Sequence, residues 1–373
     1  MRIVGIIIEA NPFHNGHTYL IEQCKKQLKP DLLVAVCSGY FTMRGEISVL
    51  SKYDKTQILI DSGFDVVIDL PTICYLNSSK KFAESSINLL NQACITDLVF
   101  GVENCTLDQL SEIINIEESS SFHKRYLENT KILYSNKLSY AKTIEEISNN
   151  KLLSEISLLP NNTLALEYLK AIKKINPNIV PHAIKRIGSD DNQTNITDYP
   201  SGTALRKALT EHINIDNYIT YSSKLFIDIN NAYSNLNTLY KQIKFNNENY
   251  QDIMLVNEGI EHYIIKLLNY NLTFDENINA LANKKYSKSR IRRTLLSMFL
   301  KIPNIIEENI PLRILGFSKL GEQYLNKLNN IIVNIKQVNS YYIEQEIKIA
   351  KLYSLITNSD ITITEYMFPR KEK

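Results

Sequence analysis

Tryptophan is absent from this chain of 373 residues, and glycine (11) and cysteine (5) are sparse. The cysteines, Cys24, Cys37, Cys74, Cys94 and Cys105, are odd in number, form no Cys-x-x-Cys pair and in several cases sit inside apolar runs. That pattern argues against a disulfide framework and against structural zinc. An excess of one charge is also missing: 42 Lys and Arg face 40 Asp and Glu, a formal net charge of +2. No global field therefore attracts a polyanion, and any nucleic-acid site must be a local basic patch. Long apolar runs are missing as well. The opening run Ile3 to Ile8 ends at Glu9, too short for a signal-peptide core or a membrane span, so a cytoplasmic protein is expected. What is present is an ordinary globular balance, 44% hydrophobic and 22% charged. The length exceeds what one core usually organises and predicts two domains or three.

Four short apolar runs punctuate the first hundred residues: Ile3 to Ile8, Leu32 to Cys37, Val66 to Leu70 and Leu98 to Phe100. Each reads as a buried parallel strand, and helical spacing fills the gaps at His17 to Leu28, Lys52 to Asp61 and Lys81 to Ala93. This alternation predicts an α/β fold, a Rossmann-like domain with a parallel sheet. Helical patterns follow from about 104 to 158, then a helix at Leu164 to Ile175, a strand at Ile179 to Ile187 in the same sheet, and a helix at Ser201 to Thr210. Beyond about residue 212 strand signals almost vanish, and helical Leu/Ile/Tyr patterns run to Thr357, broken by Pro303 and Pro311. The expected division is a nucleotide-binding domain over 1–212 and a mostly α-helical domain over 213–373, with only Pro369 to Lys373 as a loose tail.

Three segments carry candidate chemistry. Asn11-Pro12-Phe13-His14-Asn15-Gly16-His17 follows the first strand and opens a helix. In an open α/β sheet that place offers unpaired backbone N–H groups and a positive helix end to an anion. Two imidazoles three residues apart point the same way and can donate to phosphate oxygens, while Gly16 lets phosphates approach the backbone. Two plain surface histidines are the alternative, disfavoured by the strand, the turn and the glycine. Zinc would need a further ligand, and none lies nearby at ligand spacing. The second segment, Ser201-Gly202-Thr203-Ala204-Leu205-Arg206, again opens a helix: its hydroxyls either cap that helix or, with Arg206, grip phosphate. In the third, Lys185-Arg186-Ile187-Gly188-Ser189-Asp190, two cations end a strand and suit charge stabilisation as pyrophosphate departs, against the alternative of a solvated strand end.

Together these segments resemble the adenylyl-transferring nucleotidyltransferases with their HxGH and SxTxxR motifs. Glu9 to His17, Ser38-Gly39-Tyr40-Phe41-Thr42-Met43-Arg44-Gly45-Glu46, Val67 to Pro71, Phe100-Gly101, Pro160 to Leu164 and Ser289 to Arg293 narrow the resemblance to the bacterial tRNA(Met) cytidine acetate ligase family, over residues 3 to about 317. The chain departs from that family's pattern at Ala10, Met43 and Ile47. The resemblance implies activation of acetate by ATP as acetyl-adenylate and acetyl transfer to the wobble cytidine of elongator tRNA(Met). It maps ATP binding onto Ile7, Ile8, Glu9, Ala10, Asn11, Pro12, Phe13, His14, Asn15, Gly16, His17, Thr18, Tyr19 and Leu20, then Gly101, Asn161 or Asn162, and Arg186 with Ile187. Ser201 and Thr203 belong with these. Asn161 is the favoured asparagine, because Asn162 can simply cap the following helix. His14, His17 and Arg206 are the expected catalytic residues, ATP the cofactor-like substrate with Mg²⁺, and acetate is expected to be preferred over bulkier acids. No protein metal site is expected.

The remaining feature is basic. Lys284, Lys285, Lys288, Arg290, Arg292 and Arg293 surround Tyr286 and lead into an apolar helix, which suits tRNA phosphates and one stacked base. A solvated helix face is the alternative. Arg44 is read either as a contact to tRNA or acetate or as a loop-shaping charge. The competing functions are a small-molecule adenylyltransferase of cofactor biosynthesis, against which the helical second half argues, and a non-catalytic RNA-binding protein, against which the intact His14, Gly16 and His17 argue.

Overall fold

A computed structural model of the chain describes all residues except 134, 189–198, 246–248, 305–308, 339, 368 and 373. Strands β1 (Ile3–Ile8), β2 (Leu32–Ser38), β3 (Val66–Leu70), β4 (Asp97–Val102) and β5 (Val180–Lys185) pair in parallel in the order β5-β4-β1-β2-β3. Every residue of β2 and β3 is buried, because helices cover both faces and neither face needs polar side chains. The chain starts at the centre, builds toward β3, then returns to the other side of β1 for β4 and β5. The crevice at that reversal, beyond the carboxyl ends of β1 and β4, is where open α/β sheets bind ligands.

Helices α1 (Asn15–Leu28), α2 (Lys52–Asp61), the single turn α3 (Thr72–Tyr75) and α4 (Ser79–Gln92) connect the first four strands. Between β4 and β5 lie α5 (Leu107–Glu117), α6 (Phe122–Leu133), α7 (Asn136–Ser148), α8 (Lys151–Leu158) and α9 (Pro160–Ile175). The rest comprises α10 (Gly202–Thr210), α11 (Ile229–Lys241), α12 (Ile260–Leu267), α13 (Phe274–Leu281), α14 (Lys288–Leu300), α15 (Lys319–Leu325) and α16 (Tyr341–Thr357). No helix among the described residues is long and apolar enough to cross a membrane.

The second half is mostly helical as expected, with one correction. β6 (Leu312–Phe317) enters the main sheet antiparallel to β3, pairing Val66 with Phe317 and Val67 with Gly316. Two short strands, β7 (Ile331–Ile332) and β8 (Arg370–Lys371), add in parallel to β6, so Arg370 and Lys371 are sheet residues, not loose tail. β6 escaped the sequence reading because Arg313 interrupts its apolar run. That arginine is buried in an ionic cluster with few exposed atoms. Lys52 Nζ lies 3.0 Å from Asp69 and from Glu365 and 3.2 Å from Glu346, and Arg313 lies 3.1 Å from Asp69 and 2.7 Å from Glu365. Tyr40 donates its hydroxyl to Glu365 and Arg313 donates to the Tyr53 hydroxyl. The cluster joins α2, β3, β6, α16 and the turn at 362–366 beneath the Ser38 to Glu46 loop. One continuous apolar core, from Ile3 to Ile356, spans both halves.

Candidate nucleotide site

His14 is the N-cap of α1, and its Nδ1 accepts from the Gly16 N–H at 3.1 Å while His17 Nδ1 accepts from the His14 N–H at 3.2 Å. This is a capping box built from imidazoles instead of Ser and Glu. It has a chemical consequence. With Nδ1 accepting, each neutral ring carries its proton on Nε2, so the two rings, 4.1 Å apart, present donors rather than bases. Burial, then the nearby His17, Arg186 and Arg206, holds His14 well below the ordinary histidine range, and it stays neutral at physiological pH. Gly16 has a more local role than backbone approach alone. A Cβ there would sit 2.9 Å from His14 Cε1 and push the capping ring aside.

These groups open onto a cavity of about 1060 Å³. Of the Ile7 to Leu20 segment all but Phe13, Asn15 and Thr18 line it. Phe13 is buried and stacks under His17 at 5.3 Å, Asn15 donates to the Asn217 carbonyl at 3.2 Å, and Thr18 turns its hydroxyl inward. Asn11 does not face only the cavity: its side chain donates to the Ile47 carbonyl and accepts from the Val49 N–H, tying the β1 turn to the loop after β2.

Across the cavity, Arg186 lies over Gly101, where a Cβ would meet Arg186 Cγ at 3.2 Å; both line the cavity, as does Ile187. Ser189 and Asp190 lie outside the described residues. Asn161 lines the cavity, its amide donating to Glu103 at 2.7 Å. Asn162 does not. It is fully buried, accepts from the Glu103 N–H and donates to the Ile156 carbonyl, so it pins the β4 turn to α8 and neither faces the cavity nor caps α9, whose N-cap is Leu159. Ser201 is the buried N-cap of α10, accepting from the Ala204 N–H. Thr203 and Arg206 do line the cavity. Arg206 donates to the Asn11 carbonyl at 2.7 Å and to Thr203 at 3.2 Å, and pairs with Glu46 at 2.8 Å.

Glu46 entered the sequence reading only as the end of the Ser38 to Glu46 segment. It also pairs with Arg292 at 3.3 Å, bridging α10 and α14, and Lys288 and Arg292 line the same cavity as His14. The basic run is thus divided. Lys284, Lys285 and Lys288 are exposed, whereas Arg290 donates to the Leu255 carbonyl and Asn257, and Arg293 donates to the carbonyls of Leu76 and Asn77. Burial brings Arg293 down to about 10. Tyr286 is only 7% exposed, packed against Tyr263 with Lys285 above it, and presents no open face to a base. Arg44 lines the cavity. Lys55, not anticipated, is wholly buried under the site and donates to the carbonyls of Glu9, Ser38 and Gly39 at 2.6 to 3.3 Å, joining the ends of β1 and β2.

Two imidazoles on a helix cap at the switch point of a parallel sheet, faced by two arginines, are groups chemically suited to phosphate, and the fold that places them is that of a nucleotidyl transferase. The HIGH Nucleotidyl Transferase family profile matches residues 1–366. Curated relatives bearing the name tRNA(Met) cytidine acetate ligase include one from Fusobacterium nucleatum, 35% identical over 88% of this chain and 85% of its own length, and one from Staphylococcus aureus strain MRSA252, 31% identical over 97% of each. The fold matches crystal structures of Thermotoga maritima TmcAL, apo (TM-score 0.86) and bound with alpha-thio ATP (TM-score 0.85), each 23% identical over 100% of this chain and 99% of that one. The chain belongs to the tRNA(Met) cytidine acetate ligase family.

Proposed function

We infer that the protein uses ATP to convert acetate to acetyl-adenylate and transfers the acetyl group to the exocyclic amine of the wobble cytidine of elongator tRNA(Met), forming N4-acetylcytidine. The observation that carries this reading is the pair of capped imidazole donors facing Arg186 and Arg206 across one cavity with Lys288 and Arg292 at its wall. An acetate oxygen attacks the α-phosphorus and the bond to the bridging oxygen breaks, its electron pair leaving with pyrophosphate. The amine then attacks the acyl carbon and AMP leaves. In the first step charge accumulates on the phosphates, where His14, His17, the α1 terminus, Arg186 and Arg206 hold it without rearrangement. No protein nucleophile is required.

Magnesium would arrive bound to ATP and would supply neutralisation of phosphate charge; among the described residues no group of three or more His, Cys, Asp or Glu is placed to cage it. The work is done in the cytoplasm, where tRNA is. The direct test is incubation of purified protein with ATP, magnesium, labelled acetate and tRNA(Met). Label on the tRNA is expected; its absence would refute the reading, and adenylylation of a small cofactor precursor instead would favour the small-molecule alternative.

Binding of tRNA rests on Lys284, Lys285, Lys288 and Arg292, with Arg44 at the cavity, rather than on Arg290 and Arg293. Replacing Lys284 and Lys285 together by Glu is expected to weaken tRNA binding irrespective of sequence and to lower the logarithmic salt slope by about one unit per lost contact. ATP affinity measured without tRNA stays as in wild type. An unchanged salt slope would remove this face from the tRNA footprint.

A further inference from the structure

The transfer step, as read above, needs a group to take the proton that the cytidine amine loses, and the cavity offers few. Both histidines are excluded, since their Nδ1 atoms already accept backbone N–H groups and their Nε2 atoms carry protons. Among the described residues four carboxylates line the cavity: Glu9, Glu46, Glu117 and Glu167. Glu46 is held between Arg206 and Arg292. Glu117 and Glu167 both pair with Lys170, at 3.1 and 2.6 Å. Each of these three carboxylates is already engaged by a cation.

Glu9 differs. It follows β1 directly and opens the turn that presents His14, and Oε1 accepts the Met43 N–H at 2.5 Å, which fixes the carboxyl against the cavity wall. Among the described residues no cation lies within ion-pair distance of it. Burial raises its affinity for a proton above the ordinary carboxylate value, outweighing the Met43 N–H and the more distant Arg44 and Lys55, with Glu46 acting in the same sense as burial. A carboxyl so placed meets the geometric and chemical demands of a general base.

We propose that Glu9 is the general base of acetyl transfer. The cytidine nitrogen forms its bond to the acyl carbon as one N–H proton passes to a Glu9 carboxylate oxygen. The bond from the acyl carbon to the adenylate oxygen breaks and its electron pair leaves on AMP. Glu9 then releases the proton to solvent, so no further reactant is consumed.

This assignment rests on the ligase reading, and the test separates the two half-reactions. Glu9→Gln keeps the oxygen that accepts from Met43. Single-turnover transfer from preformed acetyl-adenylate to tRNA(Met) is expected to fall about 10²- to 10⁴-fold, the range general bases contribute, and by a clearly larger factor than acetate-dependent exchange between ATP and pyrophosphate. Glu9→Asp, with a base displaced by one methylene, is expected to recover part of the transfer rate. Equal transfer by Glu9→Gln and wild type, an equal loss in both half-reactions, or no recovery with Asp would overturn the proposal. Absence of acetate-dependent exchange in the wild type would instead overturn the ligase reading itself.

Discussion

His14→Ala and His17→Ala are each expected to slow acetyl-adenylate formation by about 10²- to 10³-fold, the usual cost of deleting one preorganised donor to a developing anion. Each change also removes half of the histidine capping box and should cost about 1 kcal/mol of stability. The two effects can be separated because the rings use different nitrogens for them. In His14→Asn the amide oxygen can accept from the Gly16 N–H as Nδ1 does, restoring the cap without returning the Nε2 donor. Thermal denaturation should therefore find His14→Asn close to wild type, and acetate-dependent pyrophosphate exchange should find it as slow as His14→Ala. Exchange near the wild-type rate in either alanine variant would remove that imidazole from the chemistry.

The largest loss of stability is expected at Lys52, far from any substrate atom. Lys52→Ala leaves Asp69, Glu346 and Glu365 buried, with Arg313 as the one other cation among the described residues within ion-pair distance of Asp69 and Glu365, and breaking a buried ionic group in this way costs about 3–5 kcal/mol. Urea denaturation measures it; a loss below about 1 kcal/mol would show that the carboxyls simply take up protons at no cost. The same cluster sets an acid limit. Although burial favours the protonated form, Lys52 and then Arg313 hold Glu365 down to about 2. Its contribution is complete above the ordinary carboxylate value of about 4.5 and is lost as the pH falls from there toward about 2. Glu346 moves the opposite way, raised chiefly by burial despite Lys52, so it releases no comparable stability in that window. Glu365→Gln should flatten the acid limb of a stability–pH curve, and an unchanged limb would assign acid sensitivity elsewhere.

The features legible in the sequence were the ones written over short spans. The β1 run, the Asn-Pro turn and the histidines three residues apart define strand, cap and donor pair within fifteen positions, and the structure assembles them in that order. What depends on distant packing was not legible. Arg292 looked like one cation among six, and only the approach of α14 to the 42–46 turn brings it to Glu46. That approach is close enough that a Cβ on Gly45, itself at φ +71°, would lie 2.9 Å from the Arg293 nitrogen. Asn161 and Asn162 are adjacent in sequence and helical geometry sends them in different directions, one to the cavity and one to the interior. Lys52 and Lys55 fall in a stretch whose sequence shows only helical spacing, yet both are buried, because the carboxylates and carbonyls that receive them come from elements remote in the chain.

The antiparallel strand beside β3 also bears on how the protein is made. As the nascent chain leaves the ribosome, β3 appears early, and the strand that closes its outer edge follows only after the residues between Leu70 and Leu312. At synthesis rates of about 5–20 residues per second, that edge stays open for an interval on the order of tens of seconds. An open apolar edge is a template for another chain. The Lys52 ammonium waits longer still, since Glu346 and Glu365 lie beyond that strand in the chain. Helix α2 therefore reaches its final electrostatic surroundings only once the chain through Glu365 has emerged, long after its own residues have been made.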